Sequence, residues 1–225
     1  MNIRETKTVL SVMIKNKARV TPMLWGSHGI GKTSAVRQVA ESLGYKTLVV
    51  ALSQRESVDL LGLPTIKDDA ELGSVTTNSM PDWFVDACKN GKYVIFLDEL
   101  NHARKEVLNA SHELILDHSL NNRKLPDDVF VVCAGNPDDD RYDVTSLTQA
   151  MITRLCHIKV VPDVTVWLEW AADGNIHADV KFIKTMPELA YVKDKRDEAF
   201  PVEINHTLRS LELVSIVHLS LIHIS

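Results

Sequence analysis

Apolar residues in this chain fall into short solid blocks separated by segments of helical period. Residues 20–25 (VTPMLW), 47–53 (TLVVALS), 92–100 (KYVIFLDEL), 128–137 (DVFVVCAGNP) and 156–161 (CHIKVV) are apolar at consecutive positions. Consecutive rather than alternating apolar residues are what a strand needs when both of its faces are covered. Amphipathic segments lie before and between these blocks. Residues 3–17 put Val9, Leu10, Met13 and Ile14 on one face, and 34–44 close on Gly44. Residues 81–91 carry a proline in the first turn, 104–118 group Val107, Leu108, Leu114 and Ile115, and 147–155 form a shorter helix. The polar, turn-rich stretch 59–79 suits a hairpin. The pattern predicts an α/β protein, with a parallel five-stranded sheet carrying helices on both faces.

The pattern changes after Asp163, where residues 164–174 (VTVWLEWAADG) and those that follow read as helical with no further strong strand. A boundary near 163 is expected, with an α/β domain over 1–162 and a small helical region over 163–218. Trp167 and Trp170 read as packing residues of that second region rather than as a base-stacking pair. A length of 225 residues fits one large domain, or one with a small companion. With 45% hydrophobic and 24% charged residues the chain can bury a core. A net charge of -5 gives no general attraction to nucleic acid or anionic membrane. Cys88, Cys133 and Cys156 are odd in number and far apart, which argues against a disulfide framework or a structural zinc site and for a reducing cytoplasm. The first residues lack the apolar core of a secretory signal, and no apolar run is long enough to span a bilayer.

The candidate chemistry falls at strand ends, where open parallel sheets bind ligands. Gly26-Ser27-His28-Gly29-Ile30-Gly31-Lys32-Thr33 matches G-x-x-x-x-G-K-[ST] between a strand and a helix that opens with Ser34. Glycines let backbone N–H groups turn inward around phosphate oxygens, and the helix N-terminus faces the same anion. Lys32 can reach the β- and γ-phosphates of a nucleotide, and the Thr33 hydroxyl can ligate magnesium. The strand 93–97 delivers Asp98 and Glu99, one suited to hold magnesium and the other to polarise an attacking water. Asn136 ends the strand expected beside it, where an amide can orient that water. Arg154 closes a short helix, and its always-charged planar fork suits a transition-state clamp. Arg209 is similar. His112, Glu113 and His118 share one helix without forming HExxH and read as surface residues. No N-K-x-D guanine-reading motif follows Asn16-Lys17.

In this order, GSHGIGKT, VIFLDELN, VVCAGNP and LTQAMITRL resemble the AAA+ ATPases, especially the MoxR-like ATPases of bacteria and phages. Asp98-Glu99-Leu100-Asn101 resembles that group's DE-x-N run, and Asp59-Leu60-Leu61-Gly62 its segment between second strand and Walker B. The resemblance spans most of residues 5–215. It implies a P-loop NTPase fold with a helical lid over 163–218, using ATP and Mg2+ to drive hydrolysis. It implies Glu99 as catalytic base, Asn136 as sensor 1, Arg154 as an arginine finger acting on a neighbouring subunit and Arg209 as sensor 2. It also implies a homo-oligomeric ring, a hexamer, that remodels a partner protein. His28 stands where the family carries proline, and Leu208 replaces the proline before the sensor 2 arginine. Residues 219–225 (LSLIHIS) resemble the translation of a sequencing-library adapter and are expected to be non-native, leaving the lid cut short near His218. Two other readings of the P-loop remain: a small-molecule kinase and a non-hydrolysing nucleotide-binding switch.

Overall fold

The computed structural model describes residues 1–136 and 147–173. In chain order the first elements are α1 (Ile3–Lys15), β1 (Pro22–Trp25), α2 (Lys32–Ser42), β2 (Lys46–Ala51) and α3 (Ser57–Leu61). Then come β3 (Pro64–Asp69), β4 (Gly73–Asn78), α4 (Asp82–Asn90), β5 (Tyr93–Asp98) and α5 (Lys105–Leu116). The rest are β6 (Ser119–Leu120), β7 (Arg123–Lys124), β8 (Val129–Gly135), α6 (Gln149–Arg154), β9 (Cys156–Lys159) and α7 (Val164–Asp173).

Five strands make one sheet in the order β2-β5-β8-β1-β9, and every neighbouring pair is parallel. The solid apolar blocks are explained by its two covered faces. Ile95, Leu97, Val131 and Cys133 look toward α3, α4, α5 and α6, while Val94, Phe96, Phe130 and Val132 look toward α1 and α2. Burial raises the Cys133 thiol far above its usual range, so it behaves as a small apolar side chain there. The expected parallel five-stranded sheet with helices on both faces is therefore present.

Local signals set the element ends. Helix α1 opens on a capping box in which the Glu5 N–H donates to Asn2 Oδ1 and the Asn2 N–H to the Glu5 carboxylate, each at 3.0 Å. Its Leu10 and Ile14 are buried, with Val9 and Met13 packed half-buried beside them. Strands β3 and β4 form the anticipated hairpin, whose turn is closed by Asp69 Oδ1 accepting the N–H groups of Glu71 and Leu72. The hairpin leaves Ile66 and Leu72 exposed.

Some features carried no pattern in the sequence. Helix α3 and the β6–β7 hairpin were not foreseen, and they correct the surface reading of Glu113 and His118. The Glu113 carboxylate accepts from Ser119 Oγ at 2.8 Å and from the N–H groups of Asn121 and Asn122 at 2.9 and 2.8 Å, so it anchors the β6–β7 turn. His118 Nε2 lies 2.9 Å from Thr21 Oγ1, and burial holds its pKa below the ordinary value, with Arg19 adding to the effect. His112 is half-buried as well. Helix α7 confirms helical structure just after Asp163; the remainder of the expected lid, with the tail 219–225, lies outside the described residues.

Phe96 is fully buried at 0% exposure on the α1/α2 face. Phe96→Ala should lower unfolding free energy by about 3–5 kcal/mol in urea denaturation. A loss below about 1 kcal/mol would show that this face is not packed as described.

Candidate functional site

Three adjacent strands, β5, β8 and β1, end side by side. Their registers align Leu97 with Cys133 and Trp25 with Gly135, so residues 98–101, 136 and 26–33 meet at one edge of the sheet. The loop after β1 reaches α2 through Gly31, which has φ +94° and caps the helix without a side-chain hydrogen bond. A left-handed conformation is strained for any residue with a Cβ. The first N–H groups of a helix have no partner within the helix, and a helix N-terminus is where such groups receive anions.

Lys32 is only 7% exposed. Its Nζ donates to Gly26 O at 2.5 Å, Ser27 O at 2.9 Å and Asn136 Oδ1 at 2.7 Å. Thr33 Oγ1 donates to Asp98 Oδ2 at 3.0 Å, and Asp98 Oδ1 accepts the Glu99 N–H at 3.0 Å. Glu99 itself is left-handed, with φ +58°, which costs about 1–2 kcal/mol for a non-glycine residue. Ser53, just past β2, donates its hydroxyl to Glu99 Oε2. Asn101, 3% exposed, lies behind this cluster and bonds the backbone of Asn136.

The structure thus gathers Gly26, Ser27, Lys32, Thr33, Asp98, Glu99 and Asn136 at one sheet edge in two hydrogen-bonded sets, one about Lys32 and one about Asp98, made adjacent by the Lys32–Thr33 peptide bond. His28 is exposed, and its ring stacks on that of His102 with centroids 6.3 Å apart. Ile30 turns into the core beside α1 and α2. Gly29, Gly31 and Ser34 border a cavity of about 310 Å³ between the loop, α1, α2 and α7. Arg154 is exposed at the end of α6 and is not part of the cluster's hydrogen bonds. Arg209 lies outside the described residues.

Sequence reasoning gave no role to Ser53 or Asn101, and it did not foresee the cavity. A polar residue ending the 47–53 block was a usable signal for Ser53, because ligand-facing groups gather at strand ends. Trp167 and Trp170, expected only to pack a second region, line the cavity together with Lys7. Burial, and then the charge of Arg4, hold the Lys7 pKa below its ordinary value. Arg4 on α1 and Glu169 on α7 form an exposed ion pair at the same cavity's wall.

The paired oxygens of Thr33 and Asp98 suit magnesium, a hard cation that takes one or two protein oxygens and completes its shell with phosphate and water. No group of three or more His, Cys, Asp or Glu suited to a metal occurs among the described residues. No helix among them is long and apolar enough to cross a membrane.

The family model described as "AAA domain (dynein-related subfamily)" matches residues 22–155. Midasin of Giardia intestinalis is 30% identical over 166 residues, which cover 65% of this chain and 3% of Midasin. The crystal structure of a candidate ATPase from Cytophaga hutchinsonii superposes with a TM-score of 0.51 at 17% identity, covering 82% of this chain and 58% of that one; the likeness is one of fold. The Thermotoga maritima RuvB Holliday junction branch migration motor gives a TM-score of 0.48 at 14% identity, covering 74% of this chain and 47% of the motor. The chain therefore spans a small part of Midasin and less than two thirds of either solved structure. The family match takes in more than half of the chain and every member of the strand-end cluster, so this chain belongs to the dynein-related subfamily of AAA domains, a family of ATPases.

Proposed function

We propose that this chain binds Mg·ATP at Gly26–Thr33 and hydrolyses the β–γ phosphoanhydride bond. The observation that carries the reading is the direct bonding of Lys32 to Asn136 at 2.7 Å and of Thr33 to Asp98 at 3.0 Å. In this reading a phosphate-binding cation, a metal-binding pair and a water-orienting amide lie together at one sheet edge.

In this reading the loop amides and the α2 N-terminus receive the phosphates. Lys32 exchanges its carbonyl partners for β- and γ-phosphate oxygens. Thr33 and Asp98 hold magnesium, which neutralises charge on the phosphates. Glu99 takes a proton from the attacking water as the new oxygen–phosphorus bond forms and the bond to ADP breaks. Ser53 fixes one oxygen of that carboxylate, and Asn136 aligns the water. The nucleoside occupies the cavity by Gly29–Gly31, whose volume lies at the small end of the ligand-pocket range of roughly 300–1,000 Å³.

Arg154, exposed and apart from its own cluster, acts on ATP held by a neighbouring copy in a homo-oligomeric ring, a hexamer by its resemblance to MoxR-like ATPases. Hydrolysis drives the remodelling of a partner protein in the cytoplasm. The β3–β4 hairpin, with Ile66 and Leu72 exposed, is a contact surface for that partner. The free thiols of Cys88, Cys133 and Cys156 agree with a reducing compartment.

Phosphate release assayed with no acceptor other than water separates hydrolysis from kinase transfer. The wild-type chain should release phosphate, and Glu99→Gln should keep ATP affinity while losing about 100-fold or more in kcat. Unchanged turnover in Glu99→Gln would overturn its role.

Arg154→Ala should be as inactive as Glu99→Gln when each is assayed alone. Mixing the two should restore activity, since about a quarter of randomly assembled interfaces then pair an intact Glu99 with a neighbour's intact Arg154. A mixture as inactive as its components would contradict action between subunits.

A further inference from the structure

Strand β8 runs further along the site edge than its neighbour β5. The last paired residues of the two strands are Leu97 and Cys133, and β5 ends at Asp98 as the chain turns away through the left-handed Glu99. On its other edge β8 remains paired, with Gly26 N–H donating to Gly135 O at 3.3 Å. Successive residues of a strand direct their N–H and C=O groups to opposite edges. The backbone groups of Asn136 therefore face the edge that β5 has left, inside a residue only 3% exposed. Buried backbone groups require partners.

Asn101 supplies both partners. Its Nδ2 donates to Asn136 O at 2.8 Å, and its Oδ1 accepts Asn136 N–H at 3.1 Å. A carboxamide presents one donor and one acceptor in the plane of a peptide group, so this side chain replaces the missing strand residue. The space is shaped for it: a Cβ on Gly135 would come within 2.7 Å of Asn101 Oδ1. Asn101 is two residues beyond Glu99, so the clamp ties the water-activating turn to the backbone that carries the Asn136 side chain.

We propose that Asn101 is a positioning residue for hydrolysis, holding the Asn136 side chain in register with Glu99 and Lys32. This rests on the reading of Asn136 given above. Ground-state phosphate binding by the loop and α2 does not pass through Asn101. Its removal therefore acts on turnover rather than on nucleotide affinity.

The test is a double-mutant cycle on the full chain, using Asn101→Ala, Asn136→Ala and the double variant, with kcat, KM and the affinity for a fluorescent ATP analogue measured for each. Asn101→Ala should lower kcat by about tenfold or more with KM and analogue affinity within about threefold of wild type. The double variant should be no slower than Asn136→Ala alone. Wild-type kcat in Asn101→Ala, multiplying losses in the double variant, or a loss confined to KM would overturn the proposal. If Asn136→Ala alone turns over normally, the role of Asn136 fails, and the positioning role falls with it. Should Asn101→Ala not fold, Asn101→Asp makes the same comparison, because it keeps the shape and the acceptor while losing the amide donor. Failure of both variants to fold would assign Asn101 to the fold alone and overturn its part in turnover.

Discussion

The site is organised around the Lys32 ammonium. A charged group at 7% exposure is tolerated only among oxygens placed to receive its three protons. Receiving oxygens among the described residues come from two chain segments far apart in sequence: carbonyls of residues 26 and 27, and the amide of residue 136. Such an arrangement holds only if β1 and β8 end level with each other, as the pairing of Trp25 with Gly135 ensures. The sheet's register is thus a condition of the chemistry. That register is in turn held by apolar side chains packed on both faces, since a slip of one residue would exchange the faces of a whole strand.

Two left-handed residues shape the same edge. Gly31 and Glu99 are both left-handed, at φ +94° and +58°, one opening the helix behind the loop and the other turning the carboxylate out of β5. Glycine removes the penalty at the first position. At the second, the penalty is offset by the surroundings: the Glu99 N–H is bonded by Asp98, its carboxylate by Ser53, and the following Leu100 and Asn101 are buried. Local strain of this kind persists only where the neighbouring structure over-determines it.

The sheet was legible because strands covered on both faces leave unbroken apolar runs, and the loop because phosphate binding needs glycines and a lysine at fixed spacing. Order along the chain also placed Asp98, Glu99 and Asn136 correctly at neighbouring strand ends. Other features had partners that no local pattern showed. Asn101 closes the DE-x-N run, yet its partner lies 35 positions away, and Glu113 anchors a turn that only the folded chain brings to it. Trp167 and Trp170 showed helical spacing, but that they line a cavity beside α1 and the loop is set by the tertiary structure. The block 92–100 proved shorter as a strand, 93–98, because the left-handed Glu99 ends the pairing.

The central claim is that the buried Lys32 hub is a nucleotide phosphate site. Calorimetric titration of ATP with magnesium into the wild-type chain and into Lys32→Ala tests it most directly. The account predicts saturable binding by the wild type, weakened by about tenfold or more in the variant, as expected for loss of charge-assisted bonds to phosphate. No binding by the folded wild-type chain, or equal affinity in the two proteins, would contradict it.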